Sequence, residues 1–211
     1  MTASTRKVSP LADWAARFPA VSHDPAAFAM REVPFVGQVN LRGDAADAAF
    51  GSKVHGLLGA NLPVAANTWN TGSDCQVLWL GPDEWLVTAP DGRNEALCAA
   101  LRAALQGIHH SVTDVSANRT VIELSGANAR LVLAKGCPLD LHASAFKAPQ
   151  CAQSVLAKSQ VILQCVDARP VFRLFVRPSF APYVAEWLVD AATELHASRG
   201  IDTGRIARGL N

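Results

Sequence analysis

Apolar and polar residues alternate along Val39-Asn40-Leu41-Arg42 and stop at Gly43, after which an alanine-rich stretch runs on to Phe50. Alternation of period two predicts a half-buried strand, and the apolar spacing after the glycine predicts a helix. The same pattern returns 83 residues later, as Ile122-Glu123-Leu124-Ser125-Gly126-Ala127-Asn128-Ala129 running on to Leu133. Downstream, Gln76-Val77-Leu78 is matched by Gln160-Val161-Ile162, and a strand closing at Pro90 is matched by one closing at Pro178. Each proline precedes an amphipathic helix. Leu97, Leu101, Ala104 and Leu105 share one face of the first, and Val184, Trp187, Leu188, Ala191 and Leu195 one face of the second. Three matches in the same order predict a duplicated fold.

Between these landmarks the pattern predicts a strand at about 34–42, a helix at about 44–58, and a hairpin from Cys75–Leu80 to Trp85–Thr88. The hairpin turns through Gly81-Pro82-Asp83-Glu84, residues suited to a tight reversal. A helix at about 93–106 ends at Gly107, and a second hairpin joins Val112–Val115 to Arg119–Leu124 through Ser116-Ala117-Asn118. The helix after Gly126 stops near Gly136, where Pro138 forbids its return. Strands at about 155–166 and 171–176 lead into a long helix at about 179–197. Strands outnumber helices and neighbours are hairpin-linked, so the expected class is α+β with mainly antiparallel sheets. The expected organisation is an irregular N-terminal arm (1–32), two α+β subdomains (33–110 and 111–197) and a C-terminal tail (198–211).

Composition narrows the partners. With 211 residues, half of them apolar and 18% charged, the chain can bury a substantial core, and no apolar run reaches the ~20 residues of a membrane span. A net charge of +1, scattered along the chain, provides no field for nucleic acid or an acidic membrane. No export signal is read at the N-terminus, so the cytoplasm is the expected location. Cys75, Cys98, Cys137, Cys151 and Cys165 contain no CxxC pair and read as small core hydrophobes rather than a zinc cage. GxGxxG after a strand, GxxxxGK[ST] and HExxH are all missing, so the usual nucleotide and zinc readings have no foothold.

Three segments together resemble the gamma subunit family of heterotetrameric sarcosine oxidase. They are Leu80-Gly81-Pro82-Asp83-Glu84-Trp85-Leu86-Val87, the run from Val112-Thr113-Asp114-Val115-Ser116 through Leu124-Ser125-Gly126, and Phe172-Arg173-Leu174-Phe175-Val176 before a tryptophan-bearing helix. The similarity extends over about 33–197. More distantly, the order of elements resembles the folate-binding T-protein of the glycine cleavage system, itself a duplication of small α+β units. The resemblance implies a non-catalytic subunit of a complex that oxidatively demethylates sarcosine to glycine. The one-carbon unit then passes to tetrahydrofolate or leaves as formaldehyde, with hydrogen peroxide formed. It further implies alpha, beta and delta subunits as partners. FAD, FMN, NAD and tetrahydrofolate are expected in those subunits, and no cofactor in this chain. Two alternatives remain open: a subunit of a related N-methyl amino acid dehydrogenase, and a free-standing folate-binding aminomethyltransferase-like protein.

In the T-protein an acidic residue precedes a strand that enters a hairpin and positions the folate. The corresponding segment is Thr71-Gly72-Ser73-Asp74-Cys75, where Asp74 is the single matching carboxylate and also a plain turn former. Lys135-Gly136-Cys137 is similar to the KGC motif of another branch of the superfamily, but Pro138-Leu139-Asp140 follow it, which favours a helix cap with a buried thiol. His109 and His110 point to opposite faces of a strand start and make no joint ligand pair. Gly43 and Gly126 could offer amides to an anion, although a tight turn is the simpler role. Trp79 and Trp85 flank the Gly81-Pro82 turn, and the apolar clusters of the arm must cover either this chain or a partner. The expected partner-facing residues are therefore Trp14, Phe18, Phe28 and Trp85, with Arg205 and Arg208 of the tail as secondary contacts.

Overall fold

The structure, a computed structural model, describes residues 7–14, 16–18 and 24–197, so the tail with Arg205 and Arg208 lies outside the described residues. Among these described residues ten strands form two five-stranded sheets, antiparallel throughout. The first sheet has the order β3-β4-β5-β2-β6: β2 Gly37–Gly43, β3 Trp69–Thr71, β4 Gln76–Gly81, β5 Glu84–Ala89 and β6 His110–Asp114. The second has the order β1-β7-β10-β9-β8: β1 Ala29–Val33, β7 Thr120–Ser125, β8 Cys151–Leu156, β9 Ser159–Asp167 and β10 Val171–Val176. Read from β8 to β1, the second order repeats the first. The α+β class and the duplication are thereby established in three dimensions.

The duplication also fixes which residues correspond. Val39 and Val77 both face Val87, while Ile122 and Leu163 both face Leu174, and all six belong to the cores beneath the helices. The counterpart of Val77 is thus Leu163, not Val161 as the local Gln-Val match suggested. Matching triplets by identity slides the strand by one pleat, which preserves the face but not the neighbour.

Helices α1 Ala48–Leu58 and α2 Asn94–Ala104 cover the outer face of the first sheet. Helices α3 Ala129–Ala134 and α4 Ala181–Ala192 cover that of the second, and a last turn, α5, spans Glu194–Ala197. The inner faces meet. Trp69, Leu78 and Leu86 from one sheet pack on Val121, Cys151, Ile162 and Phe175 from the other. The result is a helix–sheet–sheet–helix sandwich, so the central strands are covered on both sides. This explains why Glu84–Ala89, with every residue after Glu84 buried, reads as a continuous apolar run rather than an alternation.

Helix starts and glycines set the geometry. Asp47 caps α1 by accepting from the amides of Ala49 and Phe50, which moves the start to 48 from the expected 44. A β-carbon on Gly43 would lie 2.4 Å from the Phe50 ring, so this glycine lets the helix lie against its own strand.

Three expectations change. Residues 29–33 are not irregular: they form β1, which completes the second sheet beside β7 just as β6 completes the first beside β2. The expected boundary between 110 and 111 cuts β6, which belongs wholly to the first sheet. Val112–Val115 and Arg119–Leu124 are not a hairpin. β6 pairs with β2 and β7 with β1 and β10, and the chain crosses between sheets at 115–119. Gln38 anchors that crossing. Its amide donates to Ser116 Oγ, its carbonyl accepts from Val115 N, and its Nε2 donates to Arg119 O at 2.7 Å.

Candidate functional site

Asp74 stands at the entrance to β4 in a turn tied to the end of α1. Ser73 N donates to Leu58 O, and Gly72 N donates to Cys75 O. A β-carbon on Gly72 would be 2.3 Å from Leu58 O, so only glycine permits this approach. The Asp74 carboxylate is exposed and borders a recess of about 260 Å³ whose walls are mainly Leu57, Leu97, Ala100 and Pro90, with Arg93 the only cation among the described lining residues. That volume falls below the ~300–1,000 Å³ usual for small-molecule sites, and no second carboxylate or histidine lines it. The residues here do not fit a folate ligand with its pterin and acidic tail.

In both strand–glycine–helix loops, amides near the helix start are bonded within the chain. Ala46 N donates to Asp44 Oδ1, Asp47 N to Asp44 O, and the Asp47 carboxylate takes the amides of Ala49 and Phe50. In the second loop Ala127 N and Asn128 N donate to the carbonyls of Ala26 and Ala27 in the segment leading to β1. These bonds compete with an anion for the amides of both loops. Lys135-Gly136-Cys137 closes α3: Lys135 Nζ donates to Ala191 O and Glu194 Oε2, and the Cys137 thiol is buried. A β-carbon on Gly136 would be 2.5 Å from the Trp187 indole, so the motif joins α3 to α4. His109 is exposed, whereas His110 Nδ1 meets Ile108 O at 2.7 Å. Among the described residues no group of three potential metal ligands converges.

The residues expected to face a partner are instead inside this chain. Phe28 and Trp85 are fully buried, and Trp14 and Phe18 retain 9% and 4% exposure. Leu11, Trp14, Phe18, Phe28 and Met30 pack into the core between the second sheet and its helices, so the arm covers its own chain. Trp85 lies against Phe50 with its Nε1 donating to Pro63 O at 2.9 Å. Trp79, its cross-strand partner, is half-buried at the strand end.

Four thiols are held protonated. Burial pushes Cys151 up to about 12, and burial is also the main cause of upward shifts at Cys75, Cys98 and Cys165. A thiolate is the reactive form, so native Cys151 is inert near neutral pH. Ellman titration of the folded chain is expected to find less than about one fast thiol, and all five only after unfolding.

One polar constellation escaped the sequence reading. Glu123 accepts from Arg31 through Oε1 and from Arg173 through Oε2, and Arg173 Nη1 donates to Gln76 Oε1 of the other sheet. Gln164 Nε2 reaches the same Gln76 oxygen at 3.1 Å. A charged residue inside Val121-Ile122-Glu123-Leu124 and another inside Phe172-Arg173-Leu174 was the available signal. The cluster clamps the sheets together and presents no reactive group to a cavity.

Comparison with known proteins places the chain in a family. The sarcosine oxidase, gamma subunit family matches residues 42–194. A sarcosine oxidase subunit gamma from an Arthrobacter species is 40% identical over 172 residues, 80% of this chain and 81% of that protein. One from Corynebacterium sp. (strain U-96) is 38% identical over 177 residues, 82% of each. In three dimensions the chain matches a heterotetrameric sarcosine oxidase from Corynebacterium sp. U-96, solved in complex with pyrrole 2-carboxylate. The TM-score is 0.80 at 36% identity, over 89% of this chain and 95% of that one. The fold is shared more distantly with the glycine cleavage system aminomethyltransferase T from Bartonella henselae, with a TM-score of 0.57 at 14% identity. That likeness covers 78% of this chain and 46% of the transferase. From its sequence and its fold, the chain belongs to the sarcosine oxidase gamma subunit family.

Proposed function

We propose that this chain is the non-catalytic gamma subunit of a heterotetrameric sarcosine oxidase, in which it acts as an assembly scaffold. The observation that carries this is the match to nearly the whole length of a chain in such a complex, at 36% identity. The chemistry assigned to the assembly is oxidative demethylation of sarcosine to glycine, with the one-carbon unit passed to tetrahydrofolate or released as formaldehyde and hydrogen peroxide formed. Alpha, beta and delta subunits would be its partners and would hold FAD, FMN, NAD and tetrahydrofolate. The location we assign is the cytoplasm, supported only in that no helix among the described residues is long and apolar enough to cross a membrane. The two sheet-and-helix units serve as one body because their inner faces share a core.

The narrow recess beside Asp74 and the occupied amides of both glycine loops support a scaffold rather than a folate site. Asp74→Ala in the assembled complex is therefore expected to change turnover by less than about tenfold, or ~1.4 kcal/mol of barrier. A much larger loss of turnover with intact assembly would assign this chain a chemical role.

A further inference from the structure

The inner face of the second sheet carries a pair of arginines at each end, and among the described residues only one pair is neutralised. At one end Arg31 and Arg173 lie on either side of Glu123 in strand register, and its two carboxylate oxygens satisfy both. At the other end β10 and β7 pair through Val176 and Thr120, which brings the next residue out, Arg177, opposite Arg119. Among the described residues no carboxylate bonds to either of these two. Neither side chain makes a hydrogen bond or ion pair with a described residue, although Glu84 lies within longer electrostatic range of Arg119.

The acids around this end are committed elsewhere. Glu84 accepts from Asn40, Glu32 from Ser9 and Thr120, Asp114 from Ser116 and Asn94, and Asp91 from Lys7. Arg119 is half-buried, and burial, followed by the neighbouring Arg177, weakens its hold on its proton, with Glu84 offsetting part of that. A guanidinium stays charged even so. Two like charges side by side, one partly desolvated, form an arrangement that a carboxylate would relieve, as Glu123 does at the far end.

The surroundings favour a polypeptide as the source of that carboxylate. Arg119 and Arg177 border an open recess of about 360 Å³ with Gln153, Val155 and Gln160 of the second sheet. Val155, on the edge strand β8, is 40% exposed. Arg119 also borders a neighbouring hollow of about 570 Å³ that includes the exposed Val8 and Phe35. Arginines flanked by exposed apolar and aromatic residues are the composition of a protein interface core.

We propose that Arg119 and Arg177 form the docking point for an acidic side chain of another subunit of the oxidase. This rests on the gamma-subunit reading above. The bidentate geometry open to a carboxylate between two guanidiniums would fix the register of the partner segment, with Val155 and Phe35 supplying the apolar contacts beside it.

The test is co-expression of the full tagged chain with the other subunits, as wild type, as Arg119→Glu with Arg177→Glu, and as Arg177→Glu alone. Arg177 is exposed, so its single variant keeps the test in force if the double variant misfolds. Retention of the partner subunits is expected to fall about tenfold or more in the double variant and to a lesser degree in the single one, while the melting temperature of the lone chain stays unchanged for the single variant. The variants are also expected to bind with less salt dependence than wild type. Assembly of both variants at the wild-type level and with wild-type salt dependence overturns the proposal. Wild-type chain that retains no subunit sinks the gamma-subunit reading itself and the docking point with it. Calorimetric titration of the lone chain with glutarate distinguishes the remaining source. Binding lost in the variants while assembly is unaffected assigns the pair to a small carboxylate and overturns the subunit contact.

Discussion

Trp85→Ala is expected to cost the chain a large share of its stability. The indole has no exposure, lies 6.0 Å centroid to centroid from the Phe50 ring, and sits between the first sheet and its helices with Val39, Val77 and Leu101. Truncating a buried tryptophan typically costs about 3–5 kcal/mol, because the transfer energy of the ring is lost and the cavity collapses only in part. The Pro63 carbonyl also loses its donor, which adds about 1 kcal/mol or more in a buried site. Against a total stability of about 5–15 kcal/mol, this is a large fraction. Urea denaturation of the full chain should show the midpoint falling by about 1 M or more. Trp85→Phe, which keeps the ring contact with Phe50 but not the hydrogen bond, should lose roughly half as much. A midpoint unchanged by Trp85→Ala would mean that the residue is not in the core.

Gly126→Ala should be the second most damaging change, acting through the N-terminal strand. Gly126 has φ of 101°, a conformation side chains rarely adopt, and a β-carbon there would stand 2.7 Å from Ala27 O and 2.8 Å from Phe28 Cα. Relief requires the segment before β1 to move, which breaks the bonds from Ala127 N and Asn128 N to Ala26 O and Ala27 O. Strain of this kind costs about 1–3 kcal/mol, and the lost pairing and the disturbed seat of Phe28 raise the expected total to about 2–4 kcal/mol. Gly92 supplies the control. Its φ is 76°, but a β-carbon there would meet nothing within 4 Å, so Gly92→Ala should show the strain alone. Hydrogen exchange should quicken across Ala29–Val33 in Gly126→Ala and not in Gly92→Ala. Equal effects of the two substitutions on that strand would contradict the packing described for it.

What the sequence disclosed was local. Val39–Gly43 and Ile122–Gly126 announce strand, glycine and helix because alternation, a breaker and a new period fall within a dozen residues. β3 and β8 escaped because Trp69–Thr71 is three residues long and Cys151–Leu156 sits on a sheet edge, where burial imposes little pattern. β1 escaped because its partner strand lies in the other half of the chain. The misread hairpin at Ser116 has the same origin: a turn sequence shows that the chain reverses but not which sheet receives it. The apolar clusters at Trp14, Phe18 and Phe28 correctly demanded cover, and only the packing against α3 and α4 reveals that the chain covers them itself. At Asp74 the lone carboxylate already read as a turn former, and the tie from Ser73 to Leu58 supplies its structural reason. Arg119 and Arg177 are distant in sequence and meet only through the register of β7 with β10, so no motif could have paired them.

Subunit capture by the tagged full chain, co-expressed with its genomic neighbours and compared with folate titration of the lone chain, bears most directly on the scaffold role. Recovery of large flavin-containing subunits in fixed ratio to this chain, with no folate binding by the chain alone, is the predicted result. A chain that retains no flavin-containing subunit and binds folate with micromolar affinity by itself would contradict the account.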